Sequence, residues 1–209
     1  SRAQSLQPVW RRVCFLSPVQ HPATTRSYSL KNDLQQILLT EDKISQRITE
    51  LGLEIDRHYE GKEILLVTLL DGAIVFTADL IRNLSIPLRL DCLRVSSYGD
   101  STDPETAPRI LSSLKSEVAG KHVLLVDDIL DTGNTMKRVH DEVLSKNPTS
   151  VHSCVFLDKP DRRQNDFRAD WTGFSIPDEF VVGYGLDYAG KYRQLPFVAT
   201  LKPSVYETV

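Results

Sequence analysis

The sequence predicts an α/β protein in which a mostly parallel central sheet carries helices on both faces. Short apolar runs, typical of strands buried on both faces, alternate along the chain with segments of amphipathic helical periodicity. Such alternation is the pattern of a parallel sheet covered by helices. One run, residues 123–126, passes directly into two aspartates. Because open sheets of this kind bind ligands at the carboxyl ends of their strands, a ligand site is predicted there.

The first half of the chain shows this alternation clearly. Residues 34–59 form an N-terminal segment that ends in an amphipathic helix, because apolar residues recur three or four positions apart at Ile44, Ile48, Leu51 and Ile55. The patterns that follow predict a strand at 63–70, a turn at Asp71-Gly72, a helix at 73–83 and a strand at 87–96. The polar segment 98–116 is long for a connection in a compact domain, which favours a binding loop or lid.

The second half predicts a strand at 121–128, a helix at 135–144, and strands at 151–157, 179–183 and 197–201. Residues 31–209 fit one domain, since a chain of 209 residues is long enough for one well-buried core. Residues 1–30 differ from the rest because they hold four arginines and no Asp or Glu. Two interpretations of this segment stay open, a disordered extension and a transit-like peptide.

The composition of the whole chain argues against several classes of protein. The net charge of −3 gives no general attraction to nucleic acid or to an anionic membrane. The apolar runs are too short to cross a bilayer, so no membrane partner is expected. The three cysteines are widely spaced and lack metal-ligand spacing, which suits a reducing compartment and predicts a cytoplasmic protein.

The acidic end of the strand at 121–128 carries the chemistry. Asp127 and Asp128 are adjacent carboxylates, which repel each other unless Mg²⁺ or the hydroxyl donors of a sugar lie near. Asp131 follows, and the turn at residues 132–135 can offer backbone N–H groups and two hydroxyls at a helix N-terminus, which suits a phosphate monoester. The pattern predicts a site for a sugar phosphate and Mg²⁺. Asp131 has one further interpretation, as the N-cap of the helix.

These residues also carry a resemblance to a known family. The run at 126–135 resembles the phosphoribosyl pyrophosphate (PRPP) signature of type I phosphoribosyltransferases, and the flanking motifs indicate the hypoxanthine-guanine branch. Those motifs are Leu70-Asp71-Gly72 with Ala78-Asp79-Leu80 at the pyrophosphate loop, Ser97-Tyr98 at the start of the lid, Leu157-Asp158-Lys159, residues 176–188, and Tyr192-Arg193. The resemblance covers about residues 35–200, with the motifs in the order of the family.

The resemblance implies the type I phosphoribosyltransferase fold, with a small hood that binds the base, and a Mg²⁺-dependent reaction. The 5-phosphoribosyl group of PRPP would pass to a 6-oxopurine, hypoxanthine or guanine, to yield IMP or GMP and pyrophosphate in purine salvage. Asp131 would be the general base or acid at the purine N7. Asp127 and Asp128 would face the ribose hydroxyls and the metal. Thr132, Gly133, Asn134 and Thr135 would hold the 5′-phosphate, and with Asp127, Asp128 and Asp131 they would form the PRPP-binding segment.

The same resemblance assigns the other substrate contacts. Lys159 would donate to the purine O6, Phe180 would stack on the base, and the backbone around Val181 would contact its edge. Asp187 would bind a second Mg²⁺ or meet the exocyclic amine region. The pyrophosphate would lie against Asp71, Gly72 and Arg193, beneath a lid opened by Ser97 and Tyr98. A homodimer or homotetramer is the implied assembly.

Several positions depart from the family pattern or have a simpler interpretation. Asp71 stands where the pyrophosphate loop usually carries Lys or Arg, and Asp127 stands where Glu is common. By pattern alone, Lys159 is a solvated loop lysine and Phe180 is a core residue. Asp187 and Arg193 could form a surface ion pair of little energetic value.

Two other functions stay open at this point. One is a phosphoribosyltransferase that prefers xanthine. The other is a regulator with the same fold, which binds nucleotide, PRPP or RNA without turnover. A basic surface or the loss of Asp131 would favour the regulator, whereas residues 31–209 are net acidic and Asp131 is present.

Overall fold

A six-stranded sheet forms the centre of the protein. The computed structural model describes residues 32–96 and 109–206, so the predicted lid residues Ser97 and Tyr98 and the predicted extension at 1–30 lie outside the described residues. The strands of this sheet are β2 (Ile64–Leu70), β3 (Leu88–Ser96), β4 (Arg109–Ile110), β5 (His122–Leu130), β6 (Ser150–Asp158) and β7 (Trp171–Ser175). Their order is β4-β3-β2-β5-β6-β7, and β4 pairs antiparallel at one edge while the other pairings are parallel.

Helices cover both faces of this sheet, as predicted. They are α1 (Glu41–His58), α2 (Ile74–Arg82) and α3 (Asn134–Leu144), whereas the single turn α4 (Pro203–Tyr206) packs with residues of a second sheet. The buried residues of α1 and α2 pack in one core cluster with Leu66 of β2, and those of α3 pack in a second cluster with Leu65 and Val67. Because successive side chains of a strand point to opposite faces, a strand between two helical layers must be apolar throughout. The run at 63–70 has that composition for this reason.

A second, three-stranded antiparallel sheet forms the hood. Its order is β1-β9-β8, with β1 (Leu34–Leu39), β8 (Val181–Val182) and β9 (Val198–Leu201). Register shifts interrupt the pairing of β1 with β9, and the exposed Gln35 and Gln36 lie in β1. The sequence analysis assigned no strand here, because such a half-polar, irregular edge strand has no clean alternation to detect.

Two other strands were missed and one was predicted too long. β4 falls inside the segment predicted as a loop, and β7 has a weak apolar pattern. In β7, a Cβ at Gly173 would lie 2.4 Å from the carbonyl oxygen of Phe156, so glycine permits the close approach of the two strands. β8 spans two residues rather than 179–183, and Phe180 lies outside it.

The carboxyl ends of β2 and β5 create the opening that the site uses. β2 pairs with β5 as far as Thr68 and Val126, while β5 continues to Leu130 against β6 alone. The strand was predicted to end at Asp128, whereas β5 continues for two more residues to Leu130. β2 leads through a cis peptide bond between Leu70 and Asp71 into the turn before α2. Among the described residues, no helix is long and apolar enough to cross a membrane.

Candidate active site

A cavity of about 850 Å³ opens at the carboxyl ends of the central strands. It brings together most of the residues that the sequence analysis selected. Those lining it are Asp71, Gly72, Asp127, Asp128, Asp131, Thr132, Gly133, Asn134, Thr135, Asp187 and Arg193. Arg94 and Arg162, which the sequence analysis did not select, line it as well. Lys159, Phe180 and Val181 are not among its lining residues.

The two aspartates of β5 form an acidic pair in which Asp127 is buried and Asp128 is half-buried. Asp127 is 9% exposed, and its carboxylate accepts a hydrogen bond from the backbone N–H of Asp128 at 3.0 Å. Burial, and then the charge of Asp128, raise the pKa of Asp127 well above its ordinary value, and burial also raises the pKa of Asp128. A bound cation or sugar hydroxyls would relieve this repulsion.

Gly72 lets the loop before α2 approach this pair. A Cβ at Gly72 would lie 1.7 Å from Oδ2 of Asp128, and a Cβ at Gly185 would lie 2.2 Å from the carbonyl oxygen of Gly72. Since those atoms cannot share space, any side chain at either glycine would displace its neighbour. Gly72 therefore contacts Asp128 on one side and the hood segment at Gly185 on the other.

The acidic pair fits a magnesium ion that shares its ligands with a substrate. Within the described parts of the chain, no group of three or more His, Cys, Asp or Glu side chains is placed to hold a metal ion. Mg²⁺ usually binds through one or two carboxylates plus substrate phosphates, and not in an all-protein cage. Asp127 and Asp128 supply hard oxygen donors of that kind.

The turn before α3 leads into a helix N-terminus, a position that favours anions in general. Gly133 occupies the N-cap position with φ 86°, a left-handed conformation that favours glycine. A Cβ there would lie 2.6 Å from Oδ1 of Asn165. Because Gly133 is the N-cap, the interpretation of Asp131 as the cap is wrong. The helix N-terminus faces the cavity through residues 132–135, where a phosphate would meet backbone N–H groups.

Asp131 belongs instead to a chain of four charged side chains. Its Oδ1 lies 3.1 Å from Nε of Arg162, whose Nη1 lies 3.7 Å from Oδ2 of Asp178. The other oxygen of Asp178 lies 3.6 Å from Nζ of Lys159. Lys159 is 7% exposed and its backbone N–H donates to Leu130 at the end of β5, so its interpretation as a solvated loop lysine is wrong.

The hood residues divide into two groups. Nη2 of Arg193 lies 2.6 Å from Oδ1 of Asp187, and this partly buried pair lines the cavity, so it is not a surface ion pair. Phe180 is 44% exposed, which shows that its assignment to the core by pattern was wrong. Its ring stacks at 5.6 Å on Tyr206 and meets Tyr188 edge-on at 5.5 Å. Val181 is buried in β8.

Arg94 and Arg162 could have been found only in part from the sequence. Arg94 lies near the end of β3, where the rule that ligands bind at carboxyl ends of strands applies as it does to β5. Arg162 closes a short 3₁₀ helix (Pro160–Arg162) directly after Lys159. Its contact with Asp131 joins residues 31 positions apart, and no local spacing indicates such a pair.

Comparison with known proteins agrees with this geometry. A model of the phosphoribosyl transferase domain matches residues 35–189. The hypoxanthine-guanine phosphoribosyltransferase of Staphylococcus aureus is 42% identical over 177 residues, which are 85% of this chain and 99% of that protein. The bifunctional protein TilS/HprT of Listeria monocytogenes is 42% identical over 178 residues, and the chain spans only 28% of its length.

A solved structure gives the same result for the fold. A crystal structure of a hypoxanthine phosphoribosyltransferase from Staphylococcus aureus superimposes with a TM-score of 0.83 at 41% identity. The match covers 88% of this chain and 100% of that one. The predicted fold is thereby confirmed. Together with the domain match over residues 35–189, these similarities show that the chain belongs to the phosphoribosyltransferase family that its motifs resemble.

Proposed function

We propose that this protein transfers the 5-phosphoribosyl group of PRPP to a 6-oxopurine, hypoxanthine or guanine, and releases pyrophosphate. The observation that carries the proposal is the cavity itself. It places an acidic pair, an anion-binding helix start and two cationic side chains of the hood and 3₁₀ helix around one space. A sugar that bears a phosphate at one end and a pyrophosphate at the other needs these three features. The curated relative from Staphylococcus aureus carries the corresponding name.

Binding would begin at the two ends of PRPP. The N–H groups and hydroxyls of residues 132–135 would hold the 5′-phosphate, and Gly72 and Arg193 would meet the pyrophosphate. Asp127 and Asp128 would accept hydrogen bonds from the ribose hydroxyls. Mg²⁺, when bound, would offset the negative charge of the leaving pyrophosphate. Asp187 is a candidate for a second Mg²⁺, although its carboxylate here contacts Arg193 and the N–H of Gly190.

Proton transfer would fall to Asp131. The reaction builds positive charge on the ribose, and a purine that loses its N7 proton is the better nucleophile. Asp131 lines the cavity between the helix start and Arg162. It would take that proton in the forward direction and return it in the reverse direction. Arg162 contacts the same carboxylate and would keep it oriented.

Recognition of the base would depend on Lys159. An ammonium donates hydrogen bonds and cannot accept them, so it favours the O6 of hypoxanthine and guanine over the 6-amino group of adenine. In the structure, Lys159 is held 3.6 Å from Asp178. The purine O6 would replace Asp178 as the partner of this ammonium. Phe180 would stack on the base, and the backbone of Val181 would contact its edge.

We also propose a cellular compartment and an assembly for this protein. We expect the protein in the cytoplasm, as a homodimer or homotetramer, and light scattering after gel filtration measures the assembly. A monomer would contradict that part of the proposal without affecting the chemistry.

The experiment that tests the proposed function is a PRPP- and Mg²⁺-dependent assay with hypoxanthine, guanine, xanthine and adenine in parallel. We expect kcat/KM to be highest for hypoxanthine or guanine and lowest for adenine. The highest kcat/KM with xanthine would replace the proposed base specificity with that of the xanthine alternative. Binding of PRPP without turnover of any base would favour the regulator.

A further inference from the structure

Arg94 and Asp71 meet at the rim of the cavity. Nη2 of Arg94 donates to Oδ1 of Asp71 at 2.8 Å, and both residues line the cavity beside Gly72 and Asp128. The pairing of the strands fixes this contact, because Arg94 lies opposite Leu70 in the parallel ladder of β2 and β3. The guanidinium is thereby held next to the loop that follows β2.

The charges around this loop explain why the contact matters. Pyrophosphate is a polyanion, and the carboxylate of Asp71 would repel it. The other two arginines of the cavity are engaged with acids that have their own proposed roles, Arg193 with Asp187 and Arg162 with Asp131. Asp71 was assigned to the pyrophosphate only as part of its loop, and its carboxylate cannot donate to a phosphate oxygen. A cation beside it therefore decides whether the loop is repulsive or attractive to a phosphate.

We propose that Arg94 is a pyrophosphate-binding residue of the PRPP site, and that Asp71 orients its guanidinium toward the cavity. This inference rests on the proposed function. The side chains of Arg94 and Asp71 are 58% and 54% exposed, so the ion pair is weak and a phosphate can compete for it. A guanidinium has five N–H donors, which allows Arg94 to keep Asp71 and still donate to a phosphate oxygen.

The same two strands offer a matched control at their other ends. Nε of Arg89 lies 2.8 Å from Oε1 of Glu63, with side chains 67% and 47% exposed. This pair has nearly the same geometry and exposure as Arg94 and Asp71, and it also joins β3 to the β2 side of the sheet. Neither Arg89 nor Glu63 lines the cavity. If the effect of removing Arg94 reflects only a broken surface ion pair, removal of Arg89 should have an effect of the same size.

The test compares Arg94→Gln with Arg89→Gln in the full chain. Arg94→Gln is expected to raise the KM for PRPP, and in the reverse reaction the KM for pyrophosphate, by about tenfold or more, as expected for a lost charge-assisted hydrogen bond. The KM for hypoxanthine and the melting temperature should stay close to those of the wild type. Arg94→Lys should recover part of the loss, and Arg89→Gln should change none of these values.

Two results would overturn the assignment. The first is a KM for PRPP and pyrophosphate in Arg94→Gln within about twofold of the wild type, below the effect of a charged hydrogen bond. The second is an equal loss in Asp71→Asn, because removal of the acid leaves the cation in place and should weaken pyrophosphate binding far less than Arg94→Gln does. That second result would make the ion pair, and not the charge of Arg94, the important feature.

Failure of the proposed function is measured separately. If the wild-type protein transfers no phosphoribosyl group to any base, the proposed function is wrong. Calorimetric titration with inorganic pyrophosphate and Mg²⁺ then still tests Arg94, since weaker binding by Arg94→Gln than by Arg89→Gln supports its role. Equal binding by the two variants would contradict it.

Discussion

The two ends of the central sheet both collect titratable side chains, and they use them in opposite ways. At the amino ends of β5, β6 and β7, the hydroxyl of Tyr59 and Nδ1 of His152 lie 2.9 Å apart, and Nδ1 of His122 lies 2.8 Å from Oγ of Ser150. His58 and Trp171 pack edge-on against each other in the same cluster at 5.2 Å. These groups have partners and fill space, as expected of residues that stabilise the fold.

At the carboxyl ends, charges of the same sign lie together beside an open cavity. Asp127 is buried against Asp128, and the helix start at residues 132–135 faces the same space. Clustering of ionisable groups therefore does not identify a site by itself. What separates the two ends is an unrelieved repulsion next to a space that a ligand could fill. Changes at the carboxyl ends should alter chemistry, and changes at the amino ends should alter stability.

The largest effect is expected from Asp131→Asn. An amide of the same shape cannot accept the N7 proton, so kcat for IMP formation should fall about 10²- to 10⁴-fold, the usual contribution of a positioned base. The amide oxygen can still accept the hydrogen bond from Nε of Arg162. Stopped-time assays measure the rate, and circular dichroism confirms folding. Near-normal turnover would refute the role of Asp131.

The next largest effect is expected from Lys159→Met, which keeps the apolar stem of this buried residue and removes its charge. Loss of a charged hydrogen bond to O6 should reduce the preference for hypoxanthine over adenine about 10- to 100-fold. The ratio of the two kcat/KM values is the measurement. Lys137→Met removes an exposed lysine that pairs with Asp141 and serves as the control. An unchanged ratio in Lys159→Met would exclude the contact with O6.

The two ends should also give opposite dependences of stability on pH. Burial and Asp128 raise the pKa of Asp127, so above the ordinary value of 3.8 the folded protein retains a proton that the unfolded chain loses. The stability contribution of this group therefore falls as pH rises through the interval up to its raised pKa. Asp127→Asn removes that loss, so as pH rises above 3.8 the free energy of unfolding of this variant should decrease less than that of the wild type.

His152 should make the free energy of unfolding depend on pH in the opposite direction. Burial lowers the pKa of His152, so the unfolded chain binds a proton below its ordinary pKa of 6.5 while the folded protein resists it. Stability from His152 is present above that value and is lost as pH falls through the lowered pKa of the folded state. Urea unfolding without added Mg²⁺ measures both variants. If His152→Asn and Asp127→Asn change the pH profile in the same direction, the comparison between the two ends fails.

The smallest effect is expected from Tyr59→Phe. Tyr59 is fully buried, and the substitution removes its hydrogen bond with His152 while keeping the ring. We expect the free energy of unfolding to fall by about 1 kcal/mol, and kcat to remain that of the wild type. A loss of turnover without a loss of stability would place the amino ends in the functional site.

The sequence predicted the elements whose patterns are strong and local. The spacing of Ile44, Ile48, Leu51 and Ile55 predicted α1, and all four side chains are buried. The unbroken apolar run predicted β2 because both of its faces are covered. β1 and β7 were missed since their pairing depends on partners far along the chain, Val198–Leu201 for β1 and β6 for β7.

The same limit applies to the site. Asp127, Asp128 and residues 132–135 were selected because their chemistry is contiguous in the sequence, and the cavity contains all of them. Arg94 and Arg162 were missed because their importance comes from contacts across the fold, with Asp71 and with Asp131. The apolar neighbours of Phe180 led to its prediction as a core residue of a strand. β8 begins only after Phe180. A motif thus identifies where the chemistry lies, and tertiary pairing decides which charges surround it.

We expect the cavity at the carboxyl ends of the strands to carry out phosphoribosyl transfer. The most direct measurement is the quantification of IMP and pyrophosphate formed by the purified protein from PRPP and hypoxanthine, with and without Mg²⁺. We predict equal amounts of IMP and pyrophosphate, dependent on Mg²⁺. PRPP binding by calorimetry with no IMP formed would contradict the claim and make the protein a binding module of the same fold.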